Sequence, residues 1–267
     1  MQIIKNYHKL KYQMKDNSIM RIKYRLFFSF LISCCFFAQN SSQDLNYLPK
    51  SKKGVLVQHK YFSLSYVSKY KNAEWVAYRL VDTMLHGTAK RKNNFCVDPM
   101  VPGGTACPND FPPKEYDRGH LCPAEDMSFS QEATDSTFYM SNMSPQMGTF
   151  NRGVWKKLEN RIRNWAKKYR EIYVVSGPVL KNGLQRIGPK KDISVPKEFY
   201  KVVLVYQDTV KRMIGFILPH RKIKESLEQF AVPVDSIEKI TRIDFFPDLP
   251  DKIERQLEKK VSLAGWN

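Results

Sequence analysis

The segment Tyr116-Asp117-Arg118-Gly119-His120-Leu121-Cys122-Pro123-Ala124 decides how the fold and the chemistry of this chain are interpreted. Arg118 carries a permanent, planar charge that suits phosphate oxygens. His120 can take a proton from water near neutral pH, and Gly119 permits a backbone geometry that a side chain would resist. This set could polarise and attack a phosphate ester. A salt bridge, a bend and a hydrogen-bonded histidine at a strand end would show the same pattern. Residues downstream are needed to distinguish this structural interpretation from a catalytic one.

The spacing of apolar residues predicts a helix over residues 149–168. At 100° per residue, Asn151 falls in the middle of its apolar face and Glu159 at the edge of that face. A buried amide costs on the order of 1–3 kcal/mol unless another group satisfies it. Asn151 therefore needs a partner.

Two interpretations of Asn151 are open. In the first helical turn, its side chain could bond nearby backbone, as asparagine often does. Alternatively, its carbonyl oxygen could bind a hard cation such as Mg²⁺, which needs few protein ligands when substrate phosphate supplies others. Glu159 could then orient a metal-bound water.

Three motifs resemble those of one nuclease family: DRGH at 117–120, SNMSPQ at 141–146, and Asn151 followed by Trp155, Leu158 and Glu159. They are similar to the DNA/RNA non-specific endonucleases, ββα-metal nucleases related to mitochondrial endonuclease G. Similar segments extend the resemblance over nearly everything after residue 50, at 74–78, 174–178, 195–201 and 244–247. The resemblance implies an α+β domain of the ββα-metal nuclease fold, with a largely antiparallel central sheet flanked by helices.

The resemblance also implies catalytic roles for four residues. His120 is expected to be the general base, so activity should rise with pH through the histidine range. Glu159 is expected to hold the waters of the metal. Arg118 and Asn142 are expected to support the phosphate or the hydrogen bonding of the site.

Metal and substrate binding are implied for three further residues. Asn151 is the expected metal ligand, with Mg²⁺ as the cofactor and Mn²⁺ or another divalent cation as alternatives. Arg163, one turn beyond Glu159, is expected to contact substrate phosphate. Arg91 is expected to do the same, by a looser alignment.

The chain departs from the family pattern at two places. Cys96 and Cys107 flank a loop rich in proline and glycine, and in an exported chain we expect them to form a disulfide while Cys122 stays a buried thiol. Arg242 stands where the family pattern has glycine.

Local patterns independently favour an α+β domain, because strands and helices mix without regular βαβ alternation. The predicted strands cover residues 54–58, 62–67, 74–80, 172–176, 199–206 and 213–218. A short strand or extended entry is expected over 137–141. The other predicted helices cover residues 130–136, 234–241 and 250–263.

The amino terminus has the pattern of a signal peptide. Three basic residues at positions 21–25 precede an apolar run over 26–37, too short to span a bilayer. We expect a signal peptide at 1–38, with translation starting at Met1 or Met20, then a linker at 39–53 and the nuclease domain at 54–267. Export would place the protein in the periplasm or outside the cell, with a lipid anchor at Cys34 as the lesser alternative, and no membrane domain is expected.

The charge indicates a polyanionic partner. The formal net charge is +18, and residues 39–267 still carry 37 Lys and Arg against 25 Asp and Glu. With the motifs, this excess predicts binding of DNA and RNA. The main alternative is a catalytically silent polyanion-binding protein of the cell envelope, and a further one is a phosphodiesterase for small nucleotides or lipids.

Overall fold

The structure, a computed structural model, describes residues 45–112 and 114–266. A seven-stranded sheet with only antiparallel neighbours forms its centre, in the order β1-β2-β3-β6-β9-β10-β11. Its strands are β1 Val55–Gln58, β2 Ser63–Val67, β3 Asn72–Val81, β6 Glu171–Pro178, β9 Glu198–Tyr206, β10 Lys211–Pro219 and β11 Ala231–Val232. Two smaller antiparallel pairs stand beside it: β4 Asp117–His120 with β5 Met143–Gln146, and β7 Gln185–Ile187 with β8 Ile193–Val195.

Five α-helices are assigned: α1 Gln131–Ser136, α2 Gly148–Phe150, α3 Lys156–Tyr169, α4 Val234–Thr241 and α5 Asp251–Glu258. Helix α3 packs on the central sheet because Leu158, Ile162 and Trp165 are buried in the same apolar cluster as side chains of β3 and β6. Burying a large apolar side chain contributes about 1.5–3 kcal/mol, so these three residues hold the helix firmly. The helix in turn anchors the segment that precedes it.

The predicted helix over 149–168 is interrupted. Between α2 and α3 the chain forms a π-helical turn, Asn151–Trp155, and Gly153 leaves helical geometry at φ −101° and ψ −108°. Glycine tolerates this conformation, and π turns are frequent at functional sites. The turn shifts the phase of the helix, so Asn151 is half-buried rather than central on the buried face.

The six predicted strands of the sheet and the helices over 130–136 and 234–241 are confirmed. The predicted carboxy-terminal helix ends early, at Glu258. Residues 137–141 form turns and the start of a 3-10 helix, Met140–Asn142, with Tyr139 in an isolated bridge to Cys96. Arg242 follows α4 with φ 64° and ψ 34°, a left-handed conformation that glycine adopts most readily, which explains why glycine was expected there.

One boundary and one bond differ from expectation. The predicted signal peptide lies outside the described residues, but the end of the predicted linker belongs to the domain: Lys50 pairs with Asp244, and Ser51 donates to Glu74 at 2.6 Å. The predicted disulfide is absent, since Cys96 and Cys107 are free thiols. Asp98 holds their loop instead, through three kinds of contact: it binds His59 at 2.8 Å and Ser141 at 2.5 Å, and it accepts the backbone N–H of Met100.

The described part of the chain holds no helix that combines the length and the apolar character needed to cross a membrane.

Candidate active site

A single cleft of about 780 Å³ brings together five of the seven predicted site residues. They are His120, Arg118, Arg91, Asn151 and Glu159. The β4–β5 pair supplies the first two, and the π turn and α3 supply the last two. Two antiparallel strands followed by a helix thus form the frame of the cleft.

His120 ends β4 and is held by aromatic neighbours. Its backbone carbonyl accepts the indole N–H of Trp155 at 3.1 Å, and Phe138 meets the imidazole edge-on at 4.9 Å. The residue is only 7% exposed, yet its Nε2 has no hydrogen-bond partner among the described residues. A buried nitrogen without a partner is available to a molecule that enters the cleft.

Burial, followed by the nearby charge of Arg91, lowers the pKa of His120 to about 3. Both effects disfavour the imidazolium form. His120 is therefore neutral throughout the range from pH 5 to 9. His120 therefore cannot be the source of a rise of activity in the histidine range, because it does not titrate there.

Gly119 is required for space and not for an unusual backbone angle. Its φ is not among the positive values of the described chain. A Cβ at this position would lie 2.2 Å from Oε1 and 2.3 Å from Cδ of the buried Gln146. The β4–β5 pair can close over Gln146 only with glycine at this position.

The Asn151 side chain bonds Asp117 and not the backbone of the first helical turn. Its amide donates to Oδ2 of Asp117 at 3.0 Å, and Arg152 holds the same carboxylate at 2.6 Å. Burial alone would raise the pKa of Asp117, but the bonds from Arg152 and Asn151 keep it below its usual value. The described structure shows no bond from the Asn151 side chain to first-turn backbone and no donor to its carbonyl oxygen. An oxygen fixed in this way, beside a cleft, fits a hard divalent cation.

Glu159 faces the cleft from α3 with a perturbed carboxyl group. Burial raises its pKa to about 7, while the cation of Lys201 opposes that shift and the charge of Asp126 adds to it. Lys201 is fully buried on β9, with its Nζ 4.2 Å from the centre of the Trp155 ring. Glu159 therefore changes charge near neutral pH, and Lys201 favours its ionised form.

The two arginines of the cleft lie on aromatic rings. The guanidinium of Arg118 stands 4.3 Å from the centre of the Phe95 ring and donates to the carbonyl of Pro108 at 3.0 Å. Arg91 stands 5.1 Å from the centre of the Phe138 ring. In the described structure neither guanidinium pairs with a carboxylate, so both charges can serve an anion.

Asn142 does not reach the cleft, which corrects its placement among the catalytic residues. It is fully buried, and its side chain bonds backbone only, accepting from Cys122 at 2.8 Å and donating to the carbonyls of Cys122 and Thr137 at 2.9 and 2.8 Å. It can support the site only by holding the turn after β4 in place.

Arg163 also lies elsewhere. Its guanidinium pairs with Glu125 at 2.6 Å and Asp126 at 2.8 Å, and it lines a different, smaller cavity. A phosphate contact would require it to leave these carboxylates. In this geometry it neutralises the buried Asp126, which also accepts the hydroxyl of Tyr78.

Three supporting residues were not identified as part of the site from the sequence: Asp117, Trp155 and Lys201. The signal for Lys201 was present, because it alternates with Phe199 and Val203 on one face of β9, where a lysine interrupts apolar residues. Trp155 belongs to the third nuclease motif, but an aromatic residue on an apolar helix face is ordinary core, so its position alone indicated no role in the site. Asp117 lies inside the DRGH motif, but its partner became visible only in the folded chain.

Comparisons with known proteins agree with this geometry. The model of the family "DNA/RNA non-specific endonuclease" matches residues 44–252. The mitochondrial nuclease EXOG of Danio rerio is 36% identical over 203 residues, covering 70% of this chain and 59% of that protein. Nuclease C1 of Cunninghamella echinulata var. echinulata is 33% identical over 226 residues, covering 79% of this chain and 90% of that protein.

A solved structure extends the agreement to the fold. The crystal structure of the EndoG/EndoGI complex matches with a TM-score of 0.69 and 29% identity, covering 76% of this chain and 90% of that one. The chain therefore belongs to the DNA/RNA non-specific endonuclease family and is an endonuclease with the ββα-metal fold.

Proposed function

We propose that this endonuclease is metal-dependent and hydrolyses phosphodiester bonds in both DNA and RNA with little sequence specificity. The observation that carries the proposal is the buried His120, whose Nε2 has no partner among the described residues. It lies in the same cleft as Asn151 and two arginines that pair with no carboxylate in the described structure. A base, a cation ligand and two phosphate-binding groups are the components that hydrolysis of a phosphodiester requires.

His120 acts as the general base. Its unpartnered Nε2 accepts a proton from the attacking water, and its neutral state makes it ready to do so at any pH above about 5. The bond from Trp155 to its carbonyl and the edge-on Phe138 ring fix the imidazole before substrate arrives. Such preorganisation lowers the cost of reaching the transition state.

Asn151 would hold the divalent cation through its carbonyl oxygen, and Glu159, once ionised, would accept hydrogen bonds from the waters of the cation. A bound Mg²⁺ supplies charge stabilisation to the phosphate and to the leaving oxygen. Asp117 keeps the Asn151 amide in one orientation, which fixes the carbonyl oxygen. Burial raises the pKa of Glu159, and the Lys201 charge opposes that rise and so favours the charged form that this role needs.

Arg118 and Arg91 bind the phosphate groups of the polymer. Guanidinium groups contact the backbone and carry no information about bases, so cleavage depends little on sequence. The excess of Lys and Arg over the whole chain favours capture of a polymer over a small phosphodiester. These contacts apply equally to DNA and RNA.

We further propose that residues 1–38 direct export, so that the enzyme acts in the periplasm or outside the cell. The support is the basic segment followed by a short apolar run at positions 21–37. Mass spectrometry of the protein recovered from its cells tests this, because export predicts an amino terminus near residue 39.

The activity test uses the purified chain with supercoiled plasmid and with RNA, each in Mg²⁺ and in chelator. The proposal predicts cleavage of both substrates in Mg²⁺ and of neither in chelator. Plasmid that is retained on a filter but never cut would favour the silent polyanion-binding protein. Equal cleavage in chelator would contradict metal dependence.

A further inference from the structure

A second group of acidic side chains lies outside the catalytic cleft, between the two carboxy-terminal helices. Asp235 and Glu238 belong to α4, and Glu258 is the last residue of α5. Both helices pack against β10 of the central sheet. None of the three residues lines the catalytic cleft.

The spacing of the three carboxylates suits a single cation. One oxygen from each lies within 4.8 Å of the others. Two oxygens that share a calcium ion at about 2.4 Å each can be at most about 4.8 Å apart, and every pair of the three meets this limit. Carboxylates that merely repel one another would separate where side chains are free to turn.

Glu258 supplies an independent observation that points to a ligand. It is 5% exposed, and its Oε1 has no hydrogen-bond partner among the described residues. Buried carboxylate oxygens are normally paired or coordinate a metal, because an unpaired one loses its hydration without compensation. The chain holds 44 Lys and Arg, yet no ion pair in its described part involves Asp235, Glu238 or Glu258.

Other acids intensify the negative field around this group. Burial, and after it the charges of Glu238 and Glu254, raise the pKa of Glu258 to about 9. The pKa of Glu238 is raised to about 7 by burial and by Asp244, although its carboxylate accepts the backbone N–H of Phe245 at 2.8 Å.

We propose that Asp235, Glu238 and Glu258 form a structural calcium site that ties α4 to α5. Calcium accepts carboxylates in irregular geometry with six to eight oxygens, whereas Mg²⁺ needs a near-ideal octahedron and loses its waters reluctantly. Asp235 is exposed, which leaves room for water to complete the coordination.

Thermal unfolding of the whole chain with CaCl₂ or with chelator tests the site. At calcium about 100-fold above its Kd, the Tm of the wild type should rise by roughly 5–10 °C. Glu258→Gln and Asp235→Asn should each lose most of that rise, and the second substitution is on the surface and should fold normally. Asp251 is an exposed acid on α5, the helix of Glu258, but lies outside the group, so Asp251→Asn should keep the calcium-induced rise in Tm.

Two further measurements separate this site from the catalytic one. Asn151→Ala should retain the calcium-induced rise in Tm, because the proposed ion is not in the cleft. Hydrogen exchange of the amides in Val234–Thr241 and Asp251–Glu258 should slow on addition of calcium. A wild type whose Tm does not respond, or a response that survives in both Glu258→Gln and Asp235→Asn, would overturn the proposal.

Discussion

Replacing Lys201 with methionine should shift the pH dependence of cleavage, because this buried cation controls the charge of Glu159. The pKa of Glu159 is about 7, raised by burial and held down by Lys201. A carboxylate with a raised pKa ionises only as the pH rises through that value. If cleavage requires ionised Glu159, the rate should therefore increase between about pH 6 and 8, and the neutral His120 adds no step in this range.

The opposing effects of burial and of the Lys201 charge on the pKa of Glu159 set the size of the expected pH shift. Loss of the Lys201 charge should raise the pKa of Glu159 by about one unit, which is about 1.36 kcal/mol. At pH 7 the ionised fraction would fall from about one half to about one tenth, so the rate should drop about fivefold. Near pH 9 the variant and the wild type should cleave at nearly the same rate.

The substitution should leave the fold intact. The Nζ of Lys201 donates to the carbonyl of Leu121 at 3.3 Å, but the hydroxyl of Ser176 also donates to that oxygen, at 2.6 Å. Methionine thus removes a buried charge without leaving the carbonyl unpartnered, and its volume is similar. The Tm should change little.

The assay is single-turnover nicking of supercoiled plasmid from pH 5 to 10, at saturating Mg²⁺ and constant ionic strength. Glu159→Gln should lack the step, and Lys201→Met should have no further effect on the profile in that background. A step that stays at the same pH in Lys201→Met, or persists in Glu159→Gln, would refute the assignment to Glu159.

Three other predictions concern packing and charge. Gly119→Ala should lower stability by about 1–3 kcal/mol by overpacking against Gln146, and Gln146→Ala should recover much of the loss in the double variant, both read from Tm. Trp155→Phe removes the donor to the His120 carbonyl and should lower the free energy of unfolding by about 1–3 kcal/mol, measured by calorimetry. It should also slow cleavage, measured by plasmid nicking. Raising salt from 50 to 200 mM should weaken plasmid binding about tenfold for the two cleft arginines alone, and a flat response in filter binding would argue against capture through phosphates.

Six of the seven strands of the central sheet followed from sequence, because each is a run of apolar or alternating residues bounded by turn residues; the two-residue strand β11 did not. Helix α3 also followed from its period, but the π turn before it did not, since Gly153 changes the backbone without changing the pattern of apolar residues. The short β4 and β5 strands gave no pattern of their own.

Some residues of the candidate site could likewise be predicted from the sequence and others could not. The resemblance to the nuclease family placed His120, Asn151 and Glu159 together, and all three line one cleft in the structure. Asn142 and Arg163 could not be placed correctly, because their partners, the backbone of Cys122 and the carboxylate of Asp126, are set by tertiary contacts. The low pKa of His120 likewise arises from burial that no local pattern reveals.

The role of His120 as general base is tested most directly by single-turnover cleavage of plasmid DNA by His120→Ala over a range of Mg²⁺ concentrations. The rate should fall by roughly 10²–10⁴-fold and stay low at every Mg²⁺ concentration, with plasmid binding retained. Asn151→Ala should instead recover part of its activity as Mg²⁺ rises, and His86→Ala, at an exposed histidine, should match the wild type. Cleavage by folded His120→Ala at the wild-type rate would contradict the assignment.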